Sequence, residues 1–167
     1  MTFTFFDAAL MAATLSCALV AGLVFGFAVV VMPGIAKLSD REFLQAFKLM
    51  DGVIQNRQQA FMFVWLGSIA SIVLMLVLGT LHLSGLERIL MWFASGLYLL
   101  GVQGPTIRFN IPLNNAVQAL QIEMLDDREL AEARTQFEVP WNSWNQFRTL
   151  TAIVSVLALL SLQLLLN

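Results

Sequence analysis

Apolar positions run almost unbroken through four stretches of the chain, and polar positions collect between them. Residues 8–32, 58–85, 89–107 and 149–166 contain no Asp, Glu, Lys or Arg. A helix needs about 20 apolar residues to cross the hydrocarbon of a bilayer. Each stretch is near that length or beyond it. In lipid the backbone has to satisfy its own hydrogen bonds, which makes helices the default spanning element. Leu, Ala and Gly are frequent and period-two alternation is weak, so barrel strands are not the reading. The pattern predicts an all-α integral membrane four-helix bundle, a single membrane domain over residues 1–167. Its spans fall at about 8–32, 58–82, 89–108 and 145–166, with short amphipathic loop helices at about 40–55 and 112–138.

The connections carry their own signals. Pro33-Gly34 is expected to end the first span. Ser39-Asp40-Arg41-Glu42 reads as a capping box, the hydroxyl and the carboxylate each satisfying a free amide at a helix start. Phe43, Phe47, Met50 and Ile54 then follow at spacings of four, three and four, one apolar stripe with Arg41, Lys48 and Asp51 placed elsewhere. Such a helix either lies on the bilayer surface or extends the second span. Ser84 to Arg88 is a tight turn, which makes spans two and three an antiparallel hairpin. Gly104-Pro105 interrupts the third span's ladder, and Pro112 is suited to start a loop helix. Asp126-Asp127-Arg128-Glu129 opens another, with acids at its N-terminus. Pro140 is expected just before the fourth span.

Small residues mark packing. Ala18, Gly22 and Gly26 repeat every fourth position in span one, and Gly67 and Ser71 do so in span two. Packing within one subunit is the simpler reading. A homo-oligomer seam is the alternative.

Composition sharpens the class. The 167 residues are 59% hydrophobic and 12% charged, about half the charge usual in a soluble domain. Mean hydropathy is +0.79. A net charge of -2 gives no support to nucleic-acid binding. Loops one and three hold Lys37, Arg41, Lys48, Arg57, Arg108, Arg128, Arg134 and Arg148, and the opposite side holds only Arg88. By the positive-inside rule both large loops are cytoplasmic and both termini outside, in a plasma (inner) membrane. No basic residue precedes Asp7, so the first span reads as a retained helix rather than a cleaved signal.

The chemistry-bearing residues lie in two polar strings at the ends of spans three and four. Trp141, Trp144, Asn145 and Arg148 occupy i, i+3, i+4 and i+7, one helix face. Gln103, Thr106 and Arg108 close span three, and Asn110, Asn114 and Asn115 follow at once. If the two ends are neighbours, guanidinium groups, amides and indoles converge on a donor-rich pocket. It suits a flat, lipophilic aromatic molecule bearing carbonyl or phenolate oxygens. Arg108, Asn110, Asn114, Asn145 and Arg148 are the candidates for stabilising an anion, with Trp141, Trp144, Gln103 and Asn115 as substrate contacts. No carboxylate lies inside a span, and Glu138 is the acid nearest the tryptophan motif. His82 is the only histidine and Cys17 the only cysteine. A two-histidine metal motif within the chain is thereby excluded. A haem held by one axial ligand, His82, stays open.

On these residues the chain resembles the anthrone oxygenase-like family of small four-span membrane proteins. The resemblance rests on Val31-Met32-Pro33-Gly34, on Asn110-Ile111-Pro112-Leu113-Asn114-Asn115, and on Trp141 with Trp144-Asn145 and Arg148. It covers nearly the whole chain. It implies an oxygenase-type oxidoreductase that oxidises an anthrone- or quinol-like substrate with molecular oxygen; the sequence itself requires no cofactor, and haem stays possible. The expected partners are membrane lipids and a lipophilic aromatic small molecule. Two other readings stand beside it: a non-catalytic accessory or lipid-binding subunit, and a haem-binding oxidoreductase.

Overall fold

The computed structural model describes residues 4–166, and these are all-helical, without strands. Five long helices follow in order: α1 Phe5–Ile35, α2 Asp40–Gln55, α3 Gln59–His82, α4 Gly85–Ala119 and α5 Asp127–Leu166. One 3-10 turn, Ile122–Met124, joins α4 to α5. All but α2 are long and apolar enough to cross a membrane. Their outer faces are apolar too, with Phe63, Leu100 and Leu164 almost fully exposed. A soluble monomer rarely shows apolar patches beyond a few hundred Å², so this surface fits lipid as its solvent.

Around the bundle, α1 packs along both α3 and α5, and α5 along α4. The ring is weakest between α3 and α4, which approach each other chiefly along the first half of α4, Gly85–Tyr98. Hydroxyl hydrogen bonds tie three of the four seams: Ser16 to Ser71 (3.2 Å) for α1–α3, Tyr98 to Ser68 (2.6 Å) for α3–α4, and Ser155 to the Ala94 carbonyl (2.8 Å) for α4–α5. Where lipid and protein interior are equally apolar, packing and such bonds carry helix association. The Ala18 and Gly22 positions face outward, and nothing lies within 4 Å of a Cβ placed on Gly22, Gly26 or Gly67. The expected packing glycines therefore do not make the contacts within the subunit. Gly79 and Gly101 do: a Cβ on Gly79 would collide with Met91 Sδ, and one on Gly101 would lie 2.9 Å from Thr151 Cβ.

The prolines behave differently from expectation. Pro33-Gly34 does not end the first helix, Gly104-Pro105 does not break the third, and Pro112 starts no new one. Each of the three is preceded by a π turn ending two residues earlier: Phe27–Val31, Leu99–Gln103 and Thr106–Asn110. A proline ring crowds the carbonyl one turn back and brings no N–H. The wider turn takes up the misfit and the helix runs on. Thr151 Oγ1 donates to the Gly101 carbonyl, four residues before Pro105, at 2.9 Å. A neighbouring side chain thus supplies the donor that the proline lacks. Pro140 likewise sits inside α5 rather than ahead of a separate span.

α2 is a cap. Ser39 and Glu42 close its capping box, and the Ser39 hydroxyl and amide hold the Glu42 carboxyl below its ordinary value. Asn56 and Arg57 end it, Arg57 in the left-handed region at φ 58°. α2 is therefore neither a lone surface helix nor an extension of α3. Phe43, Leu44 and Phe47 form a second apolar core with Val117, Phe137 and Trp141, distinct from that of the bundle. Several loop cations latch this cap to chain carbonyls: Arg41 to Ile122 and Leu125, Lys48 to Leu120, and Arg134 to Ala36 and Leu38.

Candidate functional site

Between the bundle core and the cap lies a cavity of about 330 Å³. Every helix contributes to its wall. The π turns place Phe27 of α1 and Thr106 and Asn110 of α4 there, and α3 adds Phe61, Met62 and Trp65. Those α3 side chains stand where α3 and α4 have separated, and Arg57, Gln59 and Met62 frame an adjoining surface recess. Most of the wall is hydrocarbon or aromatic ring, and Phe61 stacks on Trp65 (5.4 Å between centroids, 21°).

One polar seam crosses this wall. Arg148 is 7% exposed. Its Nε donates to Asn145 Oδ1 at 3.0 Å and its Nη1 to Thr106 Oγ1 at 3.2 Å. Its guanidinium carbon lies 5.3 Å from the Trp141 ring centroid. The Trp141 indole N–H donates to Asn114 Oδ1 at 2.7 Å, and Asn114 Nδ2 donates to Asp51 Oδ1 at 2.8 Å. Gln118 Nε2 reaches Asp51 Oδ2 at 2.8 Å and Gln55 Nε2 reaches it at 3.3 Å. A buried cation at one end and a buried anion at the other are thus linked through an indole and an amide. They form no ion pair with each other or with any other described residue. Burying a charge without a counter-charge costs several kcal/mol. Both charges are held by neutral donors and acceptors on different helices, which prevents their collapse together.

A count of hydrogen-bonding groups shows what the seam offers a ligand. A guanidinium carries five N–H donors, and Arg148 commits one from Nε and one from Nη1 to the protein. The rest are available. A carboxylate accepts about four hydrogen bonds, and Asp51 accepts from three amides. The Asn110 amide donates to the Trp141 carbonyl at 3.3 Å, and its Oδ1, though buried, accepts nothing from the protein.

The residues singled out in the sequence divide by position. Asn110, Asn114, Trp141 and Arg148 line the cavity. Asn145 stands behind Arg148 and donates to the Val24 carbonyl at 3.1 Å. Gln103 is buried deeper, donating to the Tyr98 hydroxyl at 3.1 Å, and Asn115 is exposed, accepting from Gln55 at 3.0 Å. Arg108 is exposed beside the Phe109 ring. Trp144 lies outside the cavity, stacked on Phe109 at 3.8 Å and 5°. Arg108 and Trp144 therefore lie outside the cavity that Arg148 and Trp141 share. Glu138 is paired with Arg134 (2.7 Å) and lines a separate cavity of about 120 Å³ behind α1. His82 is exposed at the other end of α3, and no cluster of metal-binding side chains occurs among the described residues. Cys17 is a fully buried free thiol in the bundle core.

Asp51, Gln55, Gln118, Phe61 and Trp65 escaped the sequence reading. Asp51 was placed off the apolar stripe of α2, yet it follows Phe47 by four residues and precedes Ile54 by three. It lies on the buried face, 4% exposed. That spacing was the available signal.

Fold and site together define a four-span helical membrane protein with a capped, charge-bearing cavity at one end of its bundle. The family model described as anthrone oxygenase matches residues 55–158, more than half of the chain, and the protein belongs to that family. No curated protein and no solved structure matches it.

Proposed function

We propose that the protein is an oxygenase-type membrane oxidoreductase that binds a lipophilic aromatic substrate, anthrone- or quinol-like, in the cavity beneath α2. One observation carries this reading: Arg148, a buried cation without a counter-ion, faces an aromatic-lined space of about 330 Å³. Small-molecule sites occupy roughly 300–1,000 Å³. An electron-rich enolate or phenolate supplies the missing negative charge. Its rings lie against Phe27, Phe61 and Trp65, and its oxygen accepts the spare guanidinium N–H groups. Held donors of this kind stabilise the anion that reacts with oxygen. The parting of α3 from α4 gives a substrate dissolved in the bilayer a side entrance. Arg108, Phe109 and Trp144 outside the cavity fit the interfacial belt of a membrane protein.

The test is oxygen uptake by the purified full-length protein given a hydroxylated anthrone or a quinol, with quinone absorbance followed in parallel. We expect catalysed uptake matched to quinone formed. Rates equal to the protein-free reaction for both substrates exclude the reading. An absorption spectrum on the same sample addresses the haem alternative, because a Soret band would make His82 the centre of interest. The excess of basic residues at the cavity end supports a cytoplasmic orientation for it. A cysteine introduced in the loop between α4 and α5 should accordingly react with impermeant reagents only from the inside, and labelling from the outside alone reverses the orientation.

A further inference from the structure

We infer that Asp51 is the proton acceptor of the reaction, the general base that takes the substrate's acidic hydrogen and later returns it. This inference rests on the oxygenase reading above and extends it to a residue outside the matched region, which begins at residue 55.

Four observations meet on this side chain. Asp51 is a carboxylate in the wall of the same cavity as Arg148, 4% exposed. Three neutral amides from Asn114, Gln118 and Gln55 hold it, and no cation does. They fix both carboxylate oxygens and leave one acceptor direction unused. The other acid near the tryptophan motif, Glu138, is occupied by Arg134 and lines a different cavity. Fastening α2 to α4 does not by itself require a charge, since a neutral side chain would fasten it without the cost of burying one.

Asp51 and Arg148 line the same cavity without pairing, which suits an anthrone, whose acidic methylene and carbonyl lie on opposite sides of one ring. Asp51 takes one proton from the C–H bond, and the bonding pair moves into the ring system to give an enolate oxygen, held by the Arg148 N–H groups. Molecular oxygen, the oxidant, accepts the electrons and bonds to that carbon. The Asp51 carboxyl gives its proton to the resulting peroxide. The carboxylate then removes the remaining C–H proton, the O–O bond breaks, and the departing hydroxide takes that proton from Asp51 and leaves as water. One methylene and one O2 become one ketone and one water.

The experiment compares full-length wild type with Asp51→Asn and Asp51→Ala, using a hydroxylated anthrone and its analogue deuterated at the reacting methylene. Asp51→Asn should lower kcat by about 10²–10⁴-fold, with KM changed only a few-fold, and should enlarge the deuterium isotope effect. Added formate should restore turnover to Asp51→Ala in a concentration-dependent way, which a purely structural role would not produce. Should Asp51→Asn fail to fold, Asp51→Glu carries the comparison: a displaced carboxylate lowers kcat and raises the isotope effect. Wild-type turnover with an Asp51→Asn rate within about three-fold of it overturns the role of Asp51 and leaves the oxygenase reading standing. So does a loss of rate with an unchanged isotope effect and no response to formate. A wild type that does not oxidise the anthrone overturns both.

Discussion

Replacing Arg148 by methionine should cut turnover of the aromatic substrate by about 10²–10³-fold, the usual loss when a donor to a developing oxyanion is removed, without lowering thermal stability. The two halves of this expectation have one cause. Arg148 is 7% exposed and has no acidic partner, so the folded chain bears the cost of desolvating it. Methionine fills similar volume without charge, and replacing buried charges by well-packed apolar residues is often neutral or stabilising. Against this gain stands the loss of the Nε bond to Asn145 (3.0 Å) and the Nη1 bond to Thr106 (3.2 Å). Leaving a buried acceptor unpaired costs about 1–3 kcal/mol. The two terms nearly cancel, and an unchanged or raised melting temperature is the expected reading. Arg148→Lys should not restore turnover, because an ammonium lacks the planar fork that reaches Asn145, Thr106 and a ligand oxygen together. A methionine variant that unfolds more easily yet turns over normally would make Arg148 a structural residue. Sites that trade stability for activity behave in the opposite way.

The four spans were legible because lipid imposes a simple rule: about 20 residues without charge, helical throughout. The bounds of α2 were legible for a local reason. The Ser39–Glu42 box sets its start, and the structure places the helix at Asp40–Gln55. The prolines misled. Pro33, Pro105 and Pro112 each carry the local signal for a helix end, but a π turn ahead of each absorbs the misfit. The loop helix expected from Pro112 consequently became an extension of α4, while the one expected from Asp126 became the start of α5, which runs on through Pro140 without a π turn. The same turns shift the phase of α4. A 3.6-residue projection carried across Leu99–Gln103 and Thr106–Asn110 loses register, and composition alone cannot separate Arg108 from Arg148. The structure turns Arg108 outward and Arg148 inward. Asp51 was hidden differently. It is one polar position on a short helix with several; its spacing from Phe47 and Ile54 signals the buried face, but its partners Asn114 and Gln118 are set by the docking of α2 onto α4.

Gly101→Ala should destabilise the protein by about 2 kcal/mol, in the range of overpacking in a tight core, and should slow turnover as well. A Cβ at Gly101 would lie 2.9 Å from Thr151 Cβ and 3.0 Å from its Cγ2. Thr151 has little room to yield. A β-branched side chain in a helix has few χ1 wells, and its hydroxyl is engaged with the Gly101 carbonyl at 2.9 Å. α4 and α5 must therefore separate at this level. Separation also strips a carbonyl next to the Pro105 interruption of its donor. The effect reaches the cavity because Thr151 lies one turn beyond Arg148, and Thr106, which accepts from Arg148, lies five residues beyond Gly101. Moving the helices apart lengthens that bond and displaces the guanidinium. Thr151→Gly removes all three crowding atoms. The double variant should accordingly be less destabilised than the two single changes summed, by a coupling of about 0.5–3 kcal/mol. Denaturation midpoints of the four proteins in one detergent measure it. Strict additivity would mean that the close approach of Gly101 to Thr151 does not hold α4 against α5, and the placing of Arg148 would then have to come from Asn145 and Thr106 alone.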